Sequence, residues 1–325
     1  MRPSQLIKNV LLIALTLALC LGALAPGALA TGMDVSRPCS LTIVFADGDK
    51  GISGAEFELY HVGGVLESGG FKLSGDFARY GVSLEGLDSS GWRAAAQTLA
   101  AYARRDGIAP DSRAETGRDG RALFDSLTPG LYLVTGERTV SGGRVYTPEP
   151  FLVSLPGAGE DGEWDYSVAA RCKFDDEPKP PDGDTVDVKV LKIWRGDAGQ
   201  QRTEEITVQL LRDGKVYDTV TLSAENDWRH TWEGLDAAHS WQAVEKMAPE
   251  GYTVSISREG ITFVITNTLK LSEEPAPTPQ PSSPPTPGEP TLPQTGVLWW
   301  PVPLLAILGA LLLLLGWGLR RRDER

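Results

Sequence analysis

Between residues 186 and 269, apolar side chains recur at every second position in short runs divided by turn residues. Val186, Val188, Val190, Lys192 and Trp194 share one face of a run. Trp241, Ala243, Glu245 and Met247 share a second, and Ile261, Phe263, Ile265, Asn267 and Leu269 a third. Two-residue alternation places each set on the core side of a strand. Short alternating strands at this spacing predict an all-β sandwich over residues 185–270. Each set carries one polar member, so Lys192, Glu245 and Asn267 are expected on the core side too.

The preceding region, residues 36–174, also reads as mainly β. Leu41-Thr42-Ile43-Val44-Phe45 is its first strand, and Gly54-Ala55-Glu56-Phe57-Glu58-Leu59-Tyr60 opens another after a turn. Gly69-Gly70 and Gly142-Gly143 read as hairpin turns. Between them the period changes. Trp92, Ala96, Leu99 and Ala103 line one face of a helix that Ser89 or Ser90 could cap, running to Arg105 and stopped by Gly107. Residues 175–184, charged and proline-rich, form the expected linker between the two domains.

Two longer apolar runs flank this body. Val10 to Leu24 follows Arg2 and Lys8 and precedes Ala28-Leu29-Ala30, the layout of a secretory signal peptide over residues 1–30. A lipoprotein signal centred on Cys20 is disfavoured by the bulk of Leu19. Residues 297–319 form an uncharged run which, at about 1.5 Å per residue, covers about 35 Å, enough for a transmembrane helix. The basic tail 320–325 would hold its end in the cytoplasm. Residues 271–291 are proline-rich, a composition that favours an extended stalk over a core.

Charge and reactive residues narrow the function. The net charge is −12, and the basic residues at both ends leave the body between them more acidic still. That argues against nucleic acid, which is bound by neutralising phosphates. The three histidines, His61, His230 and His239, come with no HExxH, CxxC or phosphate-binding glycine loop, so no metal site, cofactor or enzyme activity on an external substrate is expected. Once Cys20 leaves with the signal peptide, Cys39 and Cys172 remain. In an oxidising compartment such a pair is a disulfide candidate, with two separate thiols as the alternative.

Unconnected, a lysine, a glutamate and an asparagine in one core are costly. Burial lowers the pKa of the amine and raises that of the acid. A neutral Lys192 could then attack the Asn267 carboxamide while a protonated Glu245 polarises its carbonyl, leaving an isopeptide bond. Alternation alone leaves a second arrangement open, with Lys192 and Asn267 at strand ends reaching water.

Several motifs resemble known families. Leu292-Pro293-Gln294-Thr295-Gly296, followed by the apolar run and the arginine tail, resembles the sorting signal read by sortases. It implies cleavage after Thr295 and transfer to peptidoglycan, with the membrane helix a transient anchor. Residues 186–269 resemble a Cna-B type domain of Gram-positive adhesins and pilins, through Val190-Leu191-Lys192-Ile193-Trp194, Ile206-Thr207-Val208-Gln209-Leu210-Leu211 and Ile265-Thr266-Asn267-Thr268. Trp241-Gln242-Ala243-Val244-Glu245-Lys246-Met247-Ala248-Pro249-Glu250-Gly251-Tyr252 resembles the pilin E-box, with Trp, Ala and Lys departing from it. The resemblance implies an internal isopeptide bond between Lys192 and Asn267, assisted by Glu245.

Residues 116–132 resemble the same pattern more loosely. This implies a Cna-B or Ig-like sandwich with an inserted helix, as in pilin N-terminal domains. The domain has no asparagine, so it cannot form a Lys–Asn bond. In a sandwich of this type the first and last strands can be neighbours, which is the basis for expecting a Cys39–Cys172 disulfide. Trp164, Val168 and Lys173 follow the spacing of the pilin motif W-x-x-x-V-x-V-Y-P-K, although Ala170, Arg171 and Cys172 depart from it. That makes Lys173 a candidate amine for linkage to other pilin subunits. The functional expectation is a secreted, wall-anchored, pilin-like structural protein. The alternative is a stand-alone adhesin that binds a host or matrix ligand through its first domain.

Overall fold

A computed structural model of the protein describes residues 33–66, 70–159, 163–198 and 202–270. The signal peptide, stalk, sorting signal, transmembrane run and basic tail expected from the sequence lie outside them. Contacts group the described residues into one compact unit. Among the described residues no helix is long and apolar enough to cross a membrane.

The fold is mainly β, in two sandwiches. In the first domain, β1 (Cys39–Val44) lies between β5 (Arg121–Leu127), antiparallel, and β9 (Ser167–Arg171), parallel. The facing sheet runs β8 (Phe151–Leu155), β6 (Gly130–Gly136), β2 (Glu56–Val65), β3 (Phe71–Leu73), and β4 (Ser112–Glu115) also pairs with β2. Alternation along β1 buries Cys39, Leu41 and Ile43 between these sheets, together with Phe45, Phe57 and Leu59. A third small sheet is built from Thr139–Ser141, β7 (Arg144–Pro148) and β10 (Phe174–Pro178). Gly142 and Gly143 turn the first two of these strands into a hairpin with φ of 59° and 77°, a conformation that glycine adopts without penalty. Because β10 pairs with β7 along its whole length, residues 175–178 belong to the first domain. The linker is correspondingly shorter than the 175–184 read from composition.

The second domain has one sheet of β14 (Arg229–Asp236), β11 (Thr185–Arg195), β17 (Thr262–Leu269) and β16 (Tyr252–Glu259). The other holds β13 (Lys215–Ser223), β12 (Glu205–Arg212) and β15 (Trp241–Glu245). Val190, Val208, Leu210, Ile256, Phe263 and Ile265 fill the space between them. β15 stops at Glu245, so Met247 leaves the alternation and is exposed. Ile261, ahead of β17, is exposed as well.

Helix α1 (Ser89–Asp106) joins the two sandwiches. Asp88, rather than Ser89 or Ser90, caps it, accepting from the Gly91 N–H, and Gly107 ends it in the left-handed region at φ 65°. One face, with Ala96, Leu99 and Ala103, packs into the first domain. An adjacent face places Ala101 and Tyr102 in the core of the second. The Thr98 hydroxyl accepts from the Ile256 N–H at 2.7 Å, and Gly81 O accepts from the Val254 N–H at 2.7 Å. The edge strand β16 is thereby covered by first-domain residues, which removes an open pairing edge.

Candidate functional site

Three elements bring Lys192, Glu245 and Asn267 together. β11 and β17 run parallel, with Lys192 opposite Ile265 and Trp194 opposite Asn267. Lys192 and Asn267 therefore point to the same side two positions apart, into the space that Val190 and Phe263 also face. Glu245 arrives from the other sheet, at the end of β15 and opposite Val208 of β12. Relative exposures are 4% for Lys192 and 0% for both Glu245 and Asn267. Asn267 Nδ2 donates to Glu245 Oε1 across the sandwich at 3.0 Å.

Desolvation dominates the electrostatics. Burial lowers the Lys192 pKa to about 7, against the opposing pull of the Glu245 and Asp197 carboxylates. Burial raises that of Glu245 to about 7, opposed by the Lys192 charge and the Asn267 hydrogen bond. Lys192 Nζ lies 4.2 Å from the Trp194 ring centroid and donates to Ile193 O at 3.2 Å. Glu245 Oε2 and Asn267 Oδ1 are buried without a hydrogen-bond partner, a cost of about 1–3 kcal/mol each. A proton on Glu245 and a half-turn of the amide would pair acid O–H with amide oxygen. The site can therefore hold an amine and an acid that are both neutral, beside a carboxamide.

Two residues of this site are not legible from alternation. Asp197 is buried, accepts from Arg202 Nε and Nη2 at 2.7 and 2.9 Å, and accepts from the Tyr252 hydroxyl at 3.1 Å. Both Asp197 and Arg202 lie between β11 and β12, where no period reports on sidedness. The one sequence signal is their opposite charge five residues apart.

The equivalent place in the first domain is apolar. β1 and β9 are also parallel, with Ile43 opposite Ala170. Two residues beyond Ala170, Cys172 is buried in the same apolar core as Ile43 and Phe45, and β1 carries no lysine. Phe45 packs edge-on against Phe57, Tyr146 and Phe174 beside them.

The same register corrects the expected disulfide. Cys39 starts β1, whereas the Cys172 N–H donates to Val44 O at its far end. Parallel pairing sets the cysteines at opposite ends of neighbouring strands, about 20 Å apart at about 3.3 Å per residue. A disulfide needs Cα atoms within about 7 Å. Both cysteines are free and buried.

Trp164 and Val168 are half-buried against the first-domain core, and Lys173 follows β9 with its side chain exposed. The Lys173 backbone O accepts from Glu149 N–H at 2.8 Å, which fixes the chain on either side of the amine. His239 pairs with Asp213 and Asp236, His230 lies against Trp232, and His61 against Tyr132. Among the described residues no group of three His, Cys, Asp or Glu side chains could hold a metal ion.

Residues 188–268, the second sandwich, match the Cna protein B-type domain family. A collagen adhesin of Staphylococcus aureus is 34% identical over 87 residues, which cover 24% of this chain and 7% of that protein. The chain thus spans a small part of the curated relative it matches. Solved structures with similarity include a single B repeat unit of the Staphylococcus aureus collagen-binding protein, at 16% identity and a TM-score of 0.26, covering 72% of this chain and 99% of that one. The full-length major pilin SpaD of Corynebacterium diphtheriae is similar at 13% identity and a TM-score of 0.28, covering 74% and 99%.

Proposed function

We propose that this chain is a pilin-like protein of the Gram-positive cell surface, joined to peptidoglycan by a sortase at Leu292–Gly296, whose second domain closes a Lys192–Asn267 isopeptide bond. The observation that carries this reading is a buried amine, acid and carboxamide from three strands inside a Cna B-type domain. Neutral Lys192 Nζ attacks Asn267 Cγ, and protonated Glu245 hydrogen-bonds the carbonyl oxygen as negative charge develops there. Glu245 then carries a proton from the attacking nitrogen to the departing one. The Cγ–Nδ2 bond breaks, ammonia leaves, and an amide joins the first and last strands of the domain. No oxidant or cofactor is required.

A chain ending at Leu271 should weigh one ammonia less than its sequence requires, and Glu245→Ala should restore the full mass. Full mass in the wild type would sink the isopeptide reading. Anchoring is tested separately: Thr295→Ala should move the protein from the wall fraction to the membrane and medium. Lys173→Arg should remove any high-mass ladder of linked pilin subunits while leaving the wall-linked monomer. The alternative reading, a stand-alone adhesin for a host or matrix ligand, is supported by the collagen adhesin match. Retention of the secreted chain on immobilised matrix proteins, without a ladder, would favour it.

A further inference from the structure

The second sandwich does not close by itself. β15 is the edge of one sheet and β16 the edge of the other, and α1 packs along both. At β16 the helix supplies the Thr98 hydroxyl to the Ile256 N–H. At β15 it supplies Arg105, whose Nη1 donates to Glu245 O at 3.2 Å and to Lys246 O at 2.8 Å. The other side of the guanidinium is held by Asp106, whose carboxylate accepts from Arg105 Nε and Nη2 and from the Tyr80 hydroxyl. Between these two attachments lies Tyr102, 2% exposed, in the same core as Val244 and Ile265. Its ring stacks on Tyr80 at 4.6 Å and carries Arg105 4.6 Å from its centroid.

We propose that α1, a first-domain element, is the closing wall of the Lys192–Glu245–Asn267 site, with Arg105 and Tyr102 as positioning residues that hold Glu245 against Asn267. This rests on the isopeptide reading above. Arg105 fixes the peptide that carries Glu245, at the free end of an edge strand that would otherwise fray. Tyr102 keeps water from the acid, and the two are near enough for the Glu245 charge to oppose ionisation of the phenol. The groups acting on the Glu245 carboxyl are Lys192 from β11 and Asn267 from β17, with Tyr102 of α1 near enough to feel its charge, while Arg105 bonds the Glu245 backbone carbonyl and Asp197 acts on Lys192. An acid kept dry stays protonated to higher pH. Bond formation would then wait until the two domains have docked.

The test uses the chain ending at Leu271, made in a short cell-free synthesis pulse and weighed at intervals at several pH values. Arg105→Ala and Tyr102→Ala should each slow loss of ammonia at least tenfold at neutral pH. Tyr102→Ala should also shift the alkaline limb of the pH profile to lower pH, and Tyr102→Phe should restore both. A variant set that closes the bond at the wild-type rate and pH profile overturns the proposal. A second measurement does not need the bond: in Asn267→Ala, the 13C-labelled Glu245 carboxyl should titrate near neutral pH, and adding Tyr102→Ala should move that titration to clearly lower pH. An unmoved titration also overturns it. A wild type that keeps its ammonia would refute the isopeptide reading, while the titration still decides whether α1 controls Glu245.

Discussion

Lys192 and Glu245 enter the folded protein against their ionisation preferences, and this has a signed consequence for stability. The folded Lys192 pKa of about 7 lies below its ordinary value of 10.5, so the unfolded chain binds the extra proton across that window and stability rises with pH through it. The folded Glu245 pKa of about 7 lies above its ordinary value of 4.5, so the folded state holds the proton and stability falls from 4.5 towards 7. A chain that keeps both groups but cannot close the bond should therefore be least stable near neutral pH. Urea midpoints of Asn267→Ala, referenced to Lys192→Met/Glu245→Gln, should dip there and recover on either side; a flat difference would remove the electrostatic basis for a neutral pair. The cysteines invite a simpler measurement. Burial pushes the Cys172 thiol up to about 12 and raises that of Cys39. Both should resist a thiol reagent at pH 8 in native protein and react together in denaturant, with no mobility change on reduction. One disulfide-blocked pair would contradict the strand register.

At the scale of elements, α1 is informative because it buries two faces. Ala96, Leu99 and Ala103 are legible as one apolar stripe, since a period near 3.6 marks a face turned to a core. Thr98, Ala101 and Tyr102 are not, because small and mixed residues resemble a solvated face and their partner strand lies about 150 residues further on. Asp88→Ala should lower the unfolding midpoint by removing the cap. Thr98→Val should cost about 1–3 kcal/mol, because it strands the Ile256 N–H in a dry interface, and Thr98→Ser should recover most of it. Equal unfolding midpoints for the valine and serine variants would discount that hydrogen bond. Strands follow a similar logic. Alternation reports which side a residue faces, so it puts Lys192, Glu245 and Asn267 on the core side, but it does not decide whether they meet there or reach water at strand ends. It says nothing of strand direction, and direction is what parts Cys39 from Cys172. Nor does it report where a strand stops, which is why the period assigns Met247 to the inner face although the side chain lies outside.

Across the whole molecule, the linker between the sandwiches is short and the interface carries backbone hydrogen bonds as well as apolar side chains. Lys179 N–H still pairs with Gly143 O, and the Ala237 N–H donates to Asp184 O. Arg138 of the first domain donates to Ala237 O and Ala238 O of the second. Domains in one chain move independently by default unless their interface is large and apolar. Here the second core includes Ala101 and Tyr102 from the first domain's helix, and an edge strand depends on Thr98 and Gly81 for its pairing. An excised second domain would expose Val254 and Ile256 and lose two acceptors. The body up to Leu271 is therefore expected to unfold as a single cooperative unit. Leu59→Ala, deep in the first core, and Val208→Ala, deep in the second, are both fully buried truncations. The leucine change should cost about 2–5 kcal/mol from cavity formation. Each should lower the same calorimetric transition, with calorimetric and van't Hoff enthalpies in agreement. Two resolved transitions, each sensitive to only one of the substitutions, would show that the domains fold separately and that α1 belongs energetically to the first alone.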